Sequence, residues 1–243
     1  MGAALFWGLV ASSSLVIGGL VALRVRIEGR VLGLIMAFGA GVLISAVAFE
    51  LVEEAFDTSA GNGGVALGLL VGSLVFFVGD GLIDRMGGAG RKRSTGEQAG
   101  GSGLAIVLGI VLDGIPESIV IGLSLLEGGG VGVAVIAAVF LSNLPEAVAA
   151  TTGLARAGWT AARITWLWTA VMIVCAFSSL LGYAAFDSAS PRTVAFVLAF
   201  AGGAILTMLA DTMMPEAFAH GGRLVGVLTT VGFALAFAIS SIE

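Results

Sequence analysis

Apolar runs of about 20 residues follow one another along nearly the whole chain, each long enough to cross a hydrocarbon layer ~30 Å thick. Eight can be traced, at roughly 3–23, 31–52, 64–83, 103–126, 131–154, 164–186, 193–214 and 223–241. Only 11% of the residues are charged, less than half the ~25% usual in a soluble domain. Too little sequence is left between the runs for a soluble domain. The expected fold is therefore all-α: one polytopic membrane domain over residues 1–243, with eight transmembrane helices and the lipid bilayer as its surroundings. Its 38 glycines suit helices that approach one another closely.

Basic residues orient such a bundle. With the N-terminus outside, the inner loops hold Arg24, Arg26, Arg30, Arg85, Arg91, Lys92, Arg93, Arg156, Arg163 and Arg223, and only Arg192 falls outside. This asymmetry predicts that both termini are extracytoplasmic. The lack of a sizeable extramembrane domain favours an inner or plasma membrane of a bacterium or archaeon. No basic residue precedes the first run, so a cleaved signal peptide is not expected. Cys175 is the only cysteine, which rules out an intramolecular disulfide. The net charge of −5 gives no reason to expect a nucleic-acid partner.

Between the third and fourth runs lies a Gly-rich basic stretch, about 84–102, expected to be a flexible cytoplasmic loop. On the opposite side, Glu53, Glu54 and Asp57 read either as a solvated helix end or as an acidic mouth that gathers cations. Asp80 and Asp84 read as a solvated end of the third helix.

Two internal repeats stand out. Phe38-Gly39-Ala40-Gly41 through Glu54-Ala55-Phe56 matches Phe200-Ala201-Gly202-Gly203 through Glu216-Ala217-Phe218 at an offset of 162, and the stretches around Pro116 and Pro145 match at an offset of 29. With the orientation above, each pair runs in opposite directions through the membrane. Inverted repeats around broken helices are the sequence pointer to a secondary transporter.

Three of the four prolines are followed by glutamate, and two of these pairs lie within apolar runs: Asp113-Gly114-Ile115-Pro116-Glu117 and Ser142-Asn143-Leu144-Pro145-Glu146. Asp113 and Glu117 are four residues apart and share a helix face, as do Ser142 and Glu146, with Asn143 three before Glu146. A carboxylate at mid-bilayer costs about 2.5–3.5 kcal/mol on insertion scales. The prolines release the carbonyls of Leu112 and Leu141, which become oxygen acceptors facing a cavity. Carboxylates, an amide, a hydroxyl and spare carbonyls together describe a cation site. One such acid beside a proline reads as a helix–helix hydrogen bond; two paired copies on neighbouring runs favour the site.

Other residues extend a path from it. Glu50 reads as a ligand near the outer mouth or as an interfacial acid. Asp211, Glu216 and His220 read as an exit path, with a capping role the alternative for His220. Met213, Met214 and Cys175 read most simply as apolar packing.

These motifs, with Met213-Met214-Pro215-Glu216-Ala217-Phe218-Ala219-His220-Gly221-Gly222, resemble the ZIP (Zrt/Irt-like) family of divalent metal transporters over essentially all eight runs. The resemblance implies transport of zinc, iron, manganese or cadmium into the cytoplasm, at a centre between the fourth and fifth helices. It also implies alternating access, with one helix bundle sliding against another, and a homodimer. Zinc is the first expectation for the transported ion, and no other cofactor is expected. The family's usual His-Asn-x-Pro-Glu-Gly is here Asp113-Gly114-Ile115-Pro116-Glu117-Ser118, so one metal site is expected. Asp, Glu, Ser and Asn are hard oxygen donors, which suit manganese, magnesium or calcium better than an imidazole set would.

The rival classes fit less well. An intramembrane metalloprotease needs His-Glu-x-x-His, and the chain has one histidine. No enzyme is expected. A metal channel and a secondary carrier of a non-metal substrate stay open, although no Lys or Arg falls inside the runs that would form the cavity.

Overall fold

The structure is a computed structural model that describes residues 1–59, 63–91, 93–95, 100–126 and 132–242. Among these residues it is all-helical, with no strand. Seven stretches are long and apolar enough to cross a membrane. Six are α1 (Gly2–Arg24), α2 (Gly29–Thr58), α3 (Gly64–Gly88), α4 (Gly103–Ser124), α5 (Val133–Arg156) and α6 (Ala161–Phe186).

The seventh stretch, Pro191–Ser240, is 50 residues long. A straight helix of that length would span about 75 Å at 1.5 Å per residue. It is not straight. It comprises α7 (Pro191–Met208), a π-helical turn (Leu209–Met213), α8 (Met214–Gly221), a short 3-10 turn and α9 (Val225–Ser240). Between α8 and α9 stands Gly222 at φ 61° and ψ −145°, a conformation open to glycine and strained for other residues. Met213 and Ala217 lie against Gly39 and Gly33 of α2, whereas Thr229 lies against Gly41 and Phe237 against Phe49. The legs before and after Gly222 therefore run past α2 in opposite directions.

α1 packs between α5 and α6, and α6 also packs on α4. α2 packs on α8 and α9, while α3 packs on α7. These two groups meet where α2 touches α5 and α7 touches α4, so α4 and α5 lie at the join. The outward side of α3 exposes Leu67, Leu70, Leu74 and Phe77, a face suited to lipid.

Glycine sets the closest helix approaches. A Cβ at Gly41 would overlap the Thr229 carbonyl, and one at Gly232 the Phe38 carbonyl. The α3–α7 contact repeats this arrangement: Gly203 lies on the Leu69 carbonyl, and Gly72 on the Phe200 carbonyl. Gly203 and Phe200 stand 162 residues after Gly41 and Phe38, the offset seen in the sequence. The π-helical turns Val47–Glu53 and Leu209–Met213 also begin 162 residues apart.

Two expectations are corrected. Helices α4 and α5 are not broken, since each runs as one α-helix through its proline. The deviations from α geometry instead fall in α2, at the end of α3 (Asp84–Gly88) and after α7, as π-helical turns. The stretch 84–102 is not simply a solvated loop either. Gly87 (φ 97°) and Gly90 (φ 68°) turn the chain back after α3, helped by bonds from the Arg91 amide to the Gly88 carbonyl (3.2 Å) and from the Arg93 amide to the Gly90 carbonyl (2.9 Å). The returning chain buries Arg91 and Ser94. Residues 92 and 96–99 of that stretch lie outside the described residues.

Candidate cation site

Asp113, Asn143 and Glu146 line one enclosed cavity, with Ile110 and Gly114 of α4, Leu15 of α1, and Trp168 and Val171 of α6. Its volume is about 10 Å³, roughly the room one water or one bare ion needs. Helix periodicity explains the convergence. Ile110, Asp113 and Gly114 sit three and four apart on α4, and Asn143 and Glu146 three apart on α5. Trp168 is held by its indole N–H, which donates to Thr151 Oγ1 at 2.7 Å.

The other residues expected at the site are buried nearby. Glu117 lies one turn beyond Asp113 on α4 and is 1% exposed. Ser142 is fully buried, and its hydroxyl donates to the Val139 carbonyl at 3.1 Å. Behind the cavity, Cys175 Sγ lies 3.8 Å from the Gly114 carbonyl oxygen, and Ser118 Oγ donates to the same carbonyl at 2.7 Å.

Glu50 lies towards the end of the bundle that carries Glu53, Glu54 and Asp57. It lines an outer pocket of about 390 Å³ with those three acids. It also lines a second of about 120 Å³ with Glu54, Val120, Ser124 and Val135. Val120 and Ser124 continue the face of α4 that carries Glu117, so the second pocket opens towards that residue.

The opposite, basic end holds an arrangement that the sequence did not reveal. Arg91 is 2% exposed and Asp113 is 3% exposed. The Arg91 guanidinium grips the Asp113 carboxylate side-on, with Nε to Oδ2 at 3.0 Å and Nη2 to Oδ1 at 2.9 Å. Nη2 also pairs with Asp80, and Nη1 lies 3.5 Å from Asp84 Oδ1. Asp80 is thus a buried ion-pair partner instead of a solvated helix end, and Asp84 stands at the rim. Burial works against the charged guanidinium, but the Asp113 and Asp80 carboxylates outweigh it and raise its pKa.

The same returning chain reaches the expected exit residues. Glu216 Oε1 accepts from the Ser94 amide at 2.9 Å and from the Ser94 hydroxyl at 2.6 Å. His220 Nε2 lies 3.1 Å from Ser94 Oγ and 3.2 Å from Glu216 Oε1. Arg156 Nη1 of α5 donates to the Ser94 carbonyl at 2.7 Å. Asp211 is exposed on the rim, lining a pocket of about 80 Å³ with Asp80, Asp84, Arg91 and Arg93. The Arg91–Asp113 pair stands between this pocket and the central cavity.

Among the described residues no group of three or more His, Cys, Asp or Glu side chains is gathered as a metal site. The central cavity instead brings two carboxylates together with an amide. Arg91 takes up the oxygens of Asp113 on the side towards the basic end.

Compared with known proteins, the chain matches no protein-family model and no curated sequence.

Proposed function

We propose that this chain is a transporter of divalent transition-metal cations, zinc first with manganese, iron and cadmium behind it, moving them into the cytoplasm between α4 and α5. The observation that carries this reading is the convergence of Asp113, Asn143 and Glu146, from two proline-containing helices, on one ion-sized cavity. Buried carboxylates are expensive at membrane depth and mark ion pathways. Among the described residues Arg91 is the one buried basic side chain, paired with Asp80 and Asp113, while the carboxyl groups of Glu117, Glu146 and Glu216 are buried as well. A divalent cation adds the charge that a single guanidinium does not.

Glu117 and Ser142 complete the donor set when the helices adjust around the ion, and the ion passes from the Glu50 side towards Asp211, Glu216 and His220. The reversal at Gly222 supports counting α9 as a separate crossing, which gives eight. The shared 162-residue offset of the glycine contacts and the π-helical turns supports an inverted repeat. Both termini then lie outside the cytoplasm, in an inner or plasma membrane. The resemblance to ZIP transporters supplies the inward direction, the alternating-access mechanism and the homodimer.

The test is uptake into proteoliposomes of zinc, cadmium, manganese, iron and magnesium in turn. Saturable flux that disappears in Glu117→Ala identifies a metal carrier, and flux that rises linearly with concentration identifies a channel. Absence of flux for every cation, with protein folded and inserted, overturns the reading.

A further inference from the structure

Arg91 is not simply near the site; α4 is shaped to receive it. Gly109 lies one turn before Asp113 on the same face of the helix, and a Cβ there would overlap Arg91 Cδ and stand 2.5 Å from its Nε. The missing side chain is the slot through which the guanidinium reaches Asp113 and Asp80. Arg91 comes from a segment outside the helices, turned inward by the left-handed glycines 87 and 90. Three residues later, Ser94 pins the segment to Glu216 of α8 and to Arg156 of α5. The segment is therefore tied to α3, α4, α5 and α8 at once, across the basic end of the site.

We propose that Arg91 and Ser94 form a plug that closes the carboxylate cavity from the basic end, with Arg91 acting as a tethered cation that a substrate must displace from Asp113. The guanidinium and a metal ion compete for the same two carboxylate oxygens. While Arg91 occupies Asp113, the cavity and the basic-end pocket are separated. When it withdraws, Asp113 becomes available as a ligand and the partition between them opens. The ion leaves on the basic side while Arg91 is withdrawn, and the return of Arg91 to Asp113 closes that exit behind it. The competition half of this proposal rests on the cation-transport reading; the plug half does not.

Cys175 supplies a native reporter, because it is the only cysteine and lies behind Gly114 of the cavity wall. Its labelling by a membrane-impermeant maleimide, applied to the basic side in inverted vesicles, measures opening of the plug. Gly109→Ala is the chosen variant: it keeps every charge and favours the helix, but fills the slot. Arg91→Ala is the companion. Labelling is expected to be at least about tenfold faster in both, since breaking a buried ion pair costs well above what a tenfold shift in an equilibrium requires.

In the same vesicles the apparent KM for manganese is expected to fall in Arg91→Ala, because a conformational tax on the binding-competent state has been removed. Labelling of Gly109→Ala at the wild-type rate overturns the proposal, even if Arg91→Ala fails to fold. An unchanged KM alongside faster labelling overturns the competition. Faster labelling with no flux of any cation in any variant keeps the plug and discards the transport reading.

Discussion

Arg91 and Asp113 meet in a two-pronged ion pair, with 3.0 and 2.9 Å between their nitrogen and oxygen atoms. A planar guanidinium matches a carboxylate edge in this way, and an ammonium group does not. Arg91→Lys is therefore not conservative. It keeps the charge but loses one of the two bonds to Asp113 and weakens the contact with Asp80. Because hydrogen bonds to charged groups contribute about 1.5–3 kcal/mol each, a lower thermal midpoint in detergent is expected. A midpoint equal to that of the wild type would mean that the pair adds nothing to stability.

The cavity residues should act on transport more than on folding. Glu146→Ala removes a carboxyl group from a membrane interior, where it is costly, so stability should hold or rise slightly. Uptake of every cation should fall to background. Monodispersity and thermal midpoint, measured beside flux, separate the two effects. Wild-type flux in Glu146→Ala would remove that residue from the site.

On the proposed metal-transport reading, ligand chemistry should make the metal preference adjustable at residue 113. Carboxylate and amide oxygens favour hard cations, whereas imidazole suits zinc. Asp113→His should shift the ratio of zinc to manganese uptake towards zinc. The same change deprives Arg91 of its carboxylate partner, so Cys175 labelling should also quicken. A ratio that does not move would show that residue 113 does not touch the transported ion.

The helical class and the membrane-length stretches were legible in the sequence because long apolar runs determine both. Asp113, Asn143 and Glu146 were legible as a group because their three- and four-residue spacings fix which helix face they share. Arg91 was not. It stands in a basic stretch, Arg91-Lys92-Arg93, where nothing local separates a buried arginine from solvated neighbours. Its burial depends on partners that are distant in sequence, Asp80 and Asp113. Gly109, one turn before Asp113, was the available trace, but it is one glycine among many. The unbroken course of α4 and α5 was equally hidden. A proline removes one helix hydrogen bond, and the packing of neighbouring helices decides whether the chain kinks, breaks or runs on through it.

Gly41 and Gly203 test whether the two halves of the bundle are built alike. Each lies on a carbonyl of the facing helix, Thr229 for Gly41 and Leu69 for Gly203. A methyl group at either position would meet backbone, which cannot move aside as a side chain can, so the helices must separate. Overpacking of this kind typically costs about 1–3 kcal/mol. Gly41→Ala and Gly203→Ala should therefore lower the thermal midpoint by similar amounts. Gly81→Ala, where a Cβ would meet open space, serves as the control and should leave it unchanged or raised, given the higher helix propensity of alanine. Loss of stability in only one of the two variants would show that the matching contacts are not equivalent in energy, and would weaken the case for an inverted repeat.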